Sequence, residues 1–431
     1  MPQRETPRPG TPQLLRELND RAALELLLTE GPMTRSQLGG HTGLSKVTAS
    51  QLLARLEERG LVQVAGKQAA GGRGPNAALY AVVPSSAYVA ALDIEPEGVH
   101  AGVADITGRI VAQVTTDPGR PVPGQPNGTA DQATLVHDAV SAACRRAGVT
   151  LSKLRAFVIG SPGVVDPRTG DIQFAVDLPA WHGGLLAMLH ADLGRPVTLE
   201  NDVNLAAIAE RSAGAAKDLD DFALVWLGRG LGLATVLGGQ LHRGSSGAAG
   251  EIGYLPVPGA GLPNDITLPR DGGFRTLVGA DVVEELAAGY GLAGRTAEGA
   301  VNAAIAAASD PAAAGAAAAG APSGPSAPEA AAADRARRAG AFLSELAGRI
   351  AVGVASICVV LDPGLAVLAG PVGHAGGSLL ADLVAERVAQ ICPSRPQVVT
   401  TGVASSPVLR GGMLLALDQA RAELLDSVAR S

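Results

Sequence analysis

Two helix-start signals, one at Thr34 and one at Ser45, constrain the front of this chain more than any other feature. Thr34 precedes Gln37 by three residues, the spacing at which each side chain satisfies a backbone amide beside the other. A short helix is expected to begin there and to give out at Gly39-Gly40. His41-Thr42-Gly43 then forms a tight turn, Ser45 is a good N-cap, and a second helix runs to Arg59 with Gly60 as its stop. Upstream, Leu14, Leu18, Leu24, Leu27 and Leu28 recur near helical spacing as far as Gly31-Pro32, which predicts an amphipathic helix ahead of the pair.

In the second helix of the pair, Ala49, Leu52, Leu53 and Leu56 face a core, leaving Ser45, Lys46, Thr48, Ser50, Gln51 and Arg55 toward solvent. Short hydroxyls and amides read base edges while Lys and Arg hold phosphates, so this face suits the major groove of double-stranded DNA. LVQVA and AALYAVV then read as two strands around the glycine-rich tip GKQAAGGRGPN. Lys67 and Arg73 on such a tip approach the DNA backbone or minor groove with little obstruction. The order matches a winged helix-turn-helix, expected over residues 1–84, although a helical hairpin with a surface loop satisfies the same local signals.

Charge divides the chain in the same place. Residues 1–84 hold ten Lys and Arg against seven Asp and Glu, whereas the whole chain is formally −7. A mildly basic head on an acidic body fits a polyanion-binding module joined to something that binds other ligands. At 47% hydrophobic and 17% charged residues the chain is too apolar for disorder, yet its apolar runs are short and broken. No membrane span is expected. The polar start MPQRETPRPG has no apolar stretch of the secretory kind, so the cytoplasm is the expected compartment. Cys144, Cys358 and Cys392 are far apart and read as buried thiols.

From about Tyr88 the pattern changes to YVAALDI, VHAGVADI and RIVAQVTT at strand spacing, then a helix-like TLVHDAVSAACRRAG and the strand and loop RAFVIGSPGVVDP. Four later segments are informative together: GSPGVVDPRTG, ENDVN, GSSGAAGEIG and LAGPVG. With these in order, the chain from about Pro12 to its end resembles the ROK family, named for repressors, open reading frames and kinases. The resemblance implies an α/β architecture, an actin-like (ribonuclease-H-like) two-lobed sugar-kinase fold over residues 85–431 behind the winged helix. It also implies that Gly163 lies on the loop approaching a sugar. Asn201 and Asp202 would bond sugar hydroxyls, Asp202 at the position of the kinases' general base. Glu251 would hold further hydroxyls, and Gly370 and Gly373 would form the adenosine-side turn.

The sequence departs from a working kinase where ATP phosphates must approach backbone amides. The family's glycine-rich DxGGT-like turn reads here Asp93-Ile94-Glu95-Pro96-Glu97. Added carboxylates repel triphosphate and Pro lacks an amide donor, so ATP binding is expected to fail and Asp202 to be vestigial. In Gly228-Arg229-Gly230-Leu231-Gly232-Leu233-Ala234 the second phosphate loop is partly kept. The family's zinc residues are missing: Tyr254 follows the EIG segment, and the stretch beyond it has neither Cys nor His, so no metal and no cofactor is expected. Tyr254 and Arg275 stand at sugar-contacting positions, which points the pocket toward an oligosaccharide, an acidic sugar or a sugar phosphate, or to a lost ligand. Residues at about 299–333 are low in complexity and are expected to be a flexible insertion, followed by a buried inter-lobe or dimer helix from about Arg335 to Val360.

The expected function is DNA-binding transcriptional regulation, as a carbohydrate-responsive repressor acting as a homodimer or homotetramer on a double-stranded operator with a sugar or sugar-derivative effector. A sugar kinase with an appended DNA-binding unit, and a constitutive DNA-binding scaffold, are the alternatives.

Overall fold

Thr34 and Ser45 start helices where their side chains demand it. The computed structural model describes residues 12–69, 76–95, 98–116, 132–174, 185–194, 196–263, 265, 272–292, 294–310, 326–403 and 405–429. Helix α1 (Pro12–Thr29) leads to the short strand β1 (Met33–Thr34), and α2 (Arg35–Thr42) begins at a complete capping box between Thr34 and Gln37. Contrary to the sequence reading, α2 runs through Gly39-Gly40 and stops at Gly43, whose φ of 69° is the left-handed cap. Gly39 is needed for packing instead, since a Cβ there would lie 3.1 Å from the Leu44 carbonyl. Ser45 caps α3 (Lys46–Glu58) by accepting from the Thr48 amide. The hairpin β2 (Val62–Gln68) and β3 (Ala77–Val82) completes a three-stranded sheet with β1.

A short turn at Pro84–Ser86 joins this head to the body. There β4 (Tyr88–Glu95), β5 (Gly98–Asp105) and β6 (Ile110–Thr116) form an antiparallel meander, followed by α4 (Gln132–Ala147). Strand β7 (Leu154–Ser161), the small hairpin β8 (Val164–Val165) and β9 (Ile172–Phe174), α5 (Leu185–Leu193) and β10 (Thr198–Asn201) finish the first lobe. Its sheet runs β10-β7-β4-β5-β6, with β7 parallel to β4 and β10 parallel to β7. Helix α6 (Asp202–Ala213) crosses to the second lobe, whose sheet is built on β11 (Phe222–Leu227), β12 (Leu231–Leu237) and β13 (Gln240–Leu241). Helices α7 (Arg275–Val278), α8 (Ala280–Gly289), α9 (Ala297–Ala308) and α10 (Ala327–Leu361) come next. Strand β14 (Leu365–Ala369), α11 (Gly370–Ile391), β15 (Gln397–Thr400) and α12 (Pro407–Val428) end the chain. The second sheet, β13-β12-β11-β14-β15, repeats the first lobe's scheme: a central strand with a meander on one side and two parallel strands on the other. This repeat is the two-lobed body implied by the resemblance.

The stretch expected as a flexible insertion is helical at both ends. Helix α9 buries Ala300, Val301 and Ala304, and α10 starts at a capping box between Ser326 and Glu329; residues 311–325 lie outside the described residues. Runs of Ala suit helices, and those of α9 pack closely, whereas Ala327, Ala330 and Ala331 at the start of α10 are exposed. Helix α10 is apolar and long enough to cross a membrane by length and composition, but Phe342, Leu346, Ile350 and Val354 are buried in the second lobe's core. Cys144, Cys358 and Cys392 are free and buried, and burial pushes the thiols of Cys144 and Cys358 up to about 11.

Candidate functional site

On the head, α3 turns Lys46, Val47, Ser50 and Gln51 outward while Ala49, Leu52, Leu53 and Leu56 fill the core. Ser45 and Thr48 are occupied in the cap, their hydroxyls 2.9 Å apart. Arg55 corrects the sequence reading. Its guanidinium makes two bonds, 2.9 and 2.5 Å, to the buried Asp20 of α1, so it ties the helices together and does not stand free for phosphate. The side chain that sequence reasoning missed is Arg35, at the start of α2, which is exposed and donates to Ser50 at 3.3 Å. Val47, 66% exposed, was also missed; an apolar residue beside Ser50 and Gln51 suits a thymine methyl. Lys67 is exposed on β2, and Arg73 lies outside the described residues. Leu18, expected on the buried face of α1, is half exposed.

In the body, the expected ligand residues Gly163, Asn201, Asp202, Glu251, Tyr254 and Arg275 line one cavity of about 870 Å³ between the lobes. Local chemistry brings each there. Asn201 caps α6 by accepting from the Asn204 amide at 3.1 Å, and its amide donates to the Gly163 carbonyl at 3.0 Å. It therefore welds the Gly163 loop to the helix that presents Asp202. Beneath them the buried Glu200 accepts from Arg243 at 2.7 and 2.6 Å and from Asn204 at 2.9 Å. This pair, absent from the sequence reading, locks ENDVN to the segment that carries Glu251. Glu251 itself is placed by Gly250, whose φ is 100° and whose Cβ, were there one, would lie 1.9 Å from the Leu233 carbonyl. Arg275 follows Phe274, a ring fully buried in a notch left by Gly353, where a Cβ would come within 2.3 Å of the ring.

Where the resemblance places nucleotide phosphates, the residues are acidic. Glu95 is exposed and lies 3.7 Å from the His100 ring, while Pro96 and Glu97 lie outside the described residues. Asp93 is buried, and burial together with Glu95 and Asp202 holds its carboxyl well above the usual carboxylate range. Arg229 is exposed on the cavity wall, which Glu95, Asp202, Glu251, Asp281, Glu284 and Glu298 make acidic on balance. Asp166, in the GSPGVVDPRTG turn, is held below the ordinary range by hydrogen bonds from Arg168, which makes it a turn-former. Among the described residues, no three His, Cys, Asp or Glu side chains gather in a way that holds a metal ion.

Comparison with known proteins places these features in company. Residues 90–419 match the profile of the ROK family, and residues 17–74 match that of the MarR family. The DNA-binding transcriptional dual regulator NagC of Escherichia coli (strain K12) is 28% identical over 255 residues, which cover 58% of this chain and 59% of that protein. A crystal structure of a ROK family transcriptional regulator, a homologue of the E. coli MLC protein, superposes with a TM-score of 0.69 at 15% identity. It covers 97% of this chain and 100% of its own, a likeness of fold. The ROK hexokinase of Thermus thermophilus superposes with a TM-score of 0.55 at 26% identity over 79% of this chain and 99% of its own.

Proposed function

The chain belongs to the ROK family, and on that premise we propose that it is a DNA-binding transcriptional repressor whose two-lobed body senses a carbohydrate without phosphorylating it. Residues 1–84 serve as the DNA-binding unit and residues 85–431 as the sensing unit. The observation that carries this reading is the joint occurrence of two features. One is a winged helix that exposes Lys46, Val47, Ser50 and Gln51; the other is a polyol-type cavity that carries Glu95 at its phosphate end, with the buried Asp93 lining the chamber that adjoins it. Repressors and regulators among the relatives support it.

As a homodimer or homotetramer, the protein sets two copies of α3 into successive major grooves of a palindromic operator in the cytoplasm. Carboxylates and amides at Asn201, Asp202 and Glu251 suit sugar hydroxyls because each pairs with donors and acceptors that neighbour one another on a ring. An effector held between the lobes favours one lobe arrangement and so changes the spacing of the heads. A ligand with equal affinity for both arrangements switches nothing.

The test is a titration of operator DNA against the full chain by fluorescence anisotropy, repeated with a panel of sugars. A sugar that shifts operator affinity supports sensing. Constant affinity across the panel removes sensing while sparing DNA binding, and failure to select any sequence removes the whole reading. The retained Asp202 favours a second reading, a sugar kinase. A coupled assay in which ATP turnover disappears with Asp202→Ala would establish that reading; no turnover is expected.

A further inference from the structure

The inter-lobe cleft has a second chamber. A cavity of about 260 Å³ shares Glu95, Trp226, Glu298 and Pro371 with the larger one, so the two meet along a seam formed by these residues. The inner chamber is one-sided in charge. Among the described residues, Asp93, Glu95 and Glu298 line it, no Lys or Arg does, and its bases are His100 and His374. Glu210 lines it too, but that carboxylate is committed to the amides of Ala215, Gly402 and Val403 and to the Thr401 hydroxyl.

Asp93 differs from Glu210. It is 5% exposed, lines the chamber, and among the described residues has no hydrogen-bond or ion-pair partner. Buried polar groups are normally paired, so a carboxyl left open toward a cavity calls for a donor from a ligand. Trp226 at the seam adds an indole, the side chain that best attracts a cation. The N-termini of α11 and α12 open on the same chamber and would ordinarily draw an anion. Each carries a proline in its first turn, Pro371 and Pro407, and so lacks one of the N–H groups an anion needs.

We propose that the seam and inner chamber bind a free ammonium group, so that the effector is an amine-bearing sugar. Its hydroxyls meet Asn201, Asp202 and Glu251, and its –NH3+ sits among Glu95, Glu298 and Asp93. The hydroxyl half rests on the carbohydrate reading above; the ammonium half stands without it. An ammonium brings three donors and one positive charge, which match a ring of acceptors. A phosphate or carboxylate in the same place meets three carboxyl groups and, among the described residues, no Lys or Arg. Arg229 and Arg275 lie in the outer chamber, outnumbered by its carboxylates.

A cation beside Asp93 favours its ionised form, so binding releases a proton. The other groups that face the chamber are Glu95 on the same strand, His100 on β5, Glu210 on α6, Glu298 on α9 and His374 on α11, with Asp202 of α6 close to Asp93.

Isothermal titration calorimetry on the full chain with glucosamine, N-acetylglucosamine, glucose and putrescine tests the assignment. Glucosamine is expected to bind about tenfold or more tighter than glucose and N-acetylglucosamine, as one charge-assisted hydrogen bond would give. Putrescine binds measurably, and Glu298→Gln and Asp93→Asn each weaken glucosamine but not glucose. Proton release, read from heats in buffers of different ionisation enthalpy, disappears in Asp93→Asn. Glu298 lies at the surface, so its variant decides the matter if Asp93→Asn does not fold. Equal affinity for glucosamine and glucose overturns the ammonium site and leaves sugar sensing standing. Putrescine binding lost in Glu298→Gln, with no sugar bound, keeps the ammonium site and overturns the carbohydrate reading. No binding of any of the four overturns both.

Discussion

A carboxylic acid that is almost wholly buried prefers its neutral form, and Asp93 is such a group. Its carboxyl titrates well above the usual range in the folded chain, whereas in the unfolded chain it ionises near pH ~4. The native state therefore binds more protons than the unfolded state between those two values. Stability then falls as pH rises from about 4 and levels off once the folded carboxyl ionises. Asp93→Asn removes this fall: its urea midpoint should exceed that of the parent at neutral pH and converge with it near pH ~4. A parent midpoint that rises across that interval, relative to the variant, would show Asp93 to be stabilised as a carboxylate. Single residues also mark the limit of reading from sequence. Asp202, Glu251 and Gly163 were legible because each lies inside a short segment with a characteristic order. Arg55 was not, since its partner Asp20 sits on another helix, and neither was Arg243, which reaches Glu200 across 43 positions. Helical spacing tells which way a side chain points and is silent about a counter-charge brought up by the fold.

Elements with strong end signals were the most legible, and the helix starts at Thr34 and Ser45 stand where their caps put them. The glycines at 39 and 40 misled because a helix tolerates glycine: Gly39 sits close to the Leu44 carbonyl, whereas a Cβ at Gly40 would meet nothing within 4 Å. Helix α12 has a consequence that no local signal carries. Its N-terminal residues Pro407 and Val408 line the inner chamber, Gly411 lies against the backbone of Leu205 on α6, and Leu424 and Val428 share a core with Leu24 and Leu27 of the head. At 22 residues it spans about 33 Å, so one rigid element links the cleft to the winged-helix head. Its tie to α1 is chiefly apolar: the Arg21–Asp426 pair is half exposed at both ends and contributes ~0–1 kcal/mol. Leu424→Ala should therefore cost about 2–4 kcal/mol, whereas Asp426→Asn leaves the melting temperature nearly unchanged. If α12 carries the signal, Leu424→Ala checked as folded by circular dichroism still binds operator, but the effector changes that affinity several-fold less than in the parent. An unchanged effector ratio would mean that the head responds by another route.

For the whole molecule, a net charge of −7 on a chain whose first 84 residues are basic means that, on the proposed repressor function, attraction to DNA is local to the head. The acidic body repels the duplex, so phosphate contacts must come from a small set of side chains. Among the described residues of the head, Arg16, Arg35, Lys46, Arg59 and Lys67 are exposed; Arg59 donates to the Ser427 carbonyl and Arg55 is bound to Asp20, while Arg35, Lys46 and Lys67 lie on α2, α3 and the wing strand β2. A dimer bringing three such cations from each head neutralises about six phosphates, for which log K against log salt has a slope of about −5. Lys46→Ala should flatten that slope by about 2, because each head loses one contact. Arg55→Ala should leave the slope alone and instead lower the head's stability by about 1–3 kcal/mol, since Asp20 keeps its burial and loses its partner. Operator binding measured over a series of salt concentrations, beside urea melts of the same proteins, separates the two effects. If Arg55→Ala flattened the slope as Lys46→Ala does, the Asp20 pair would have to open on DNA. Its guanidinium would then be a phosphate clamp released from α1 at the moment of binding, and the division of the head's cations into core and contact would fail.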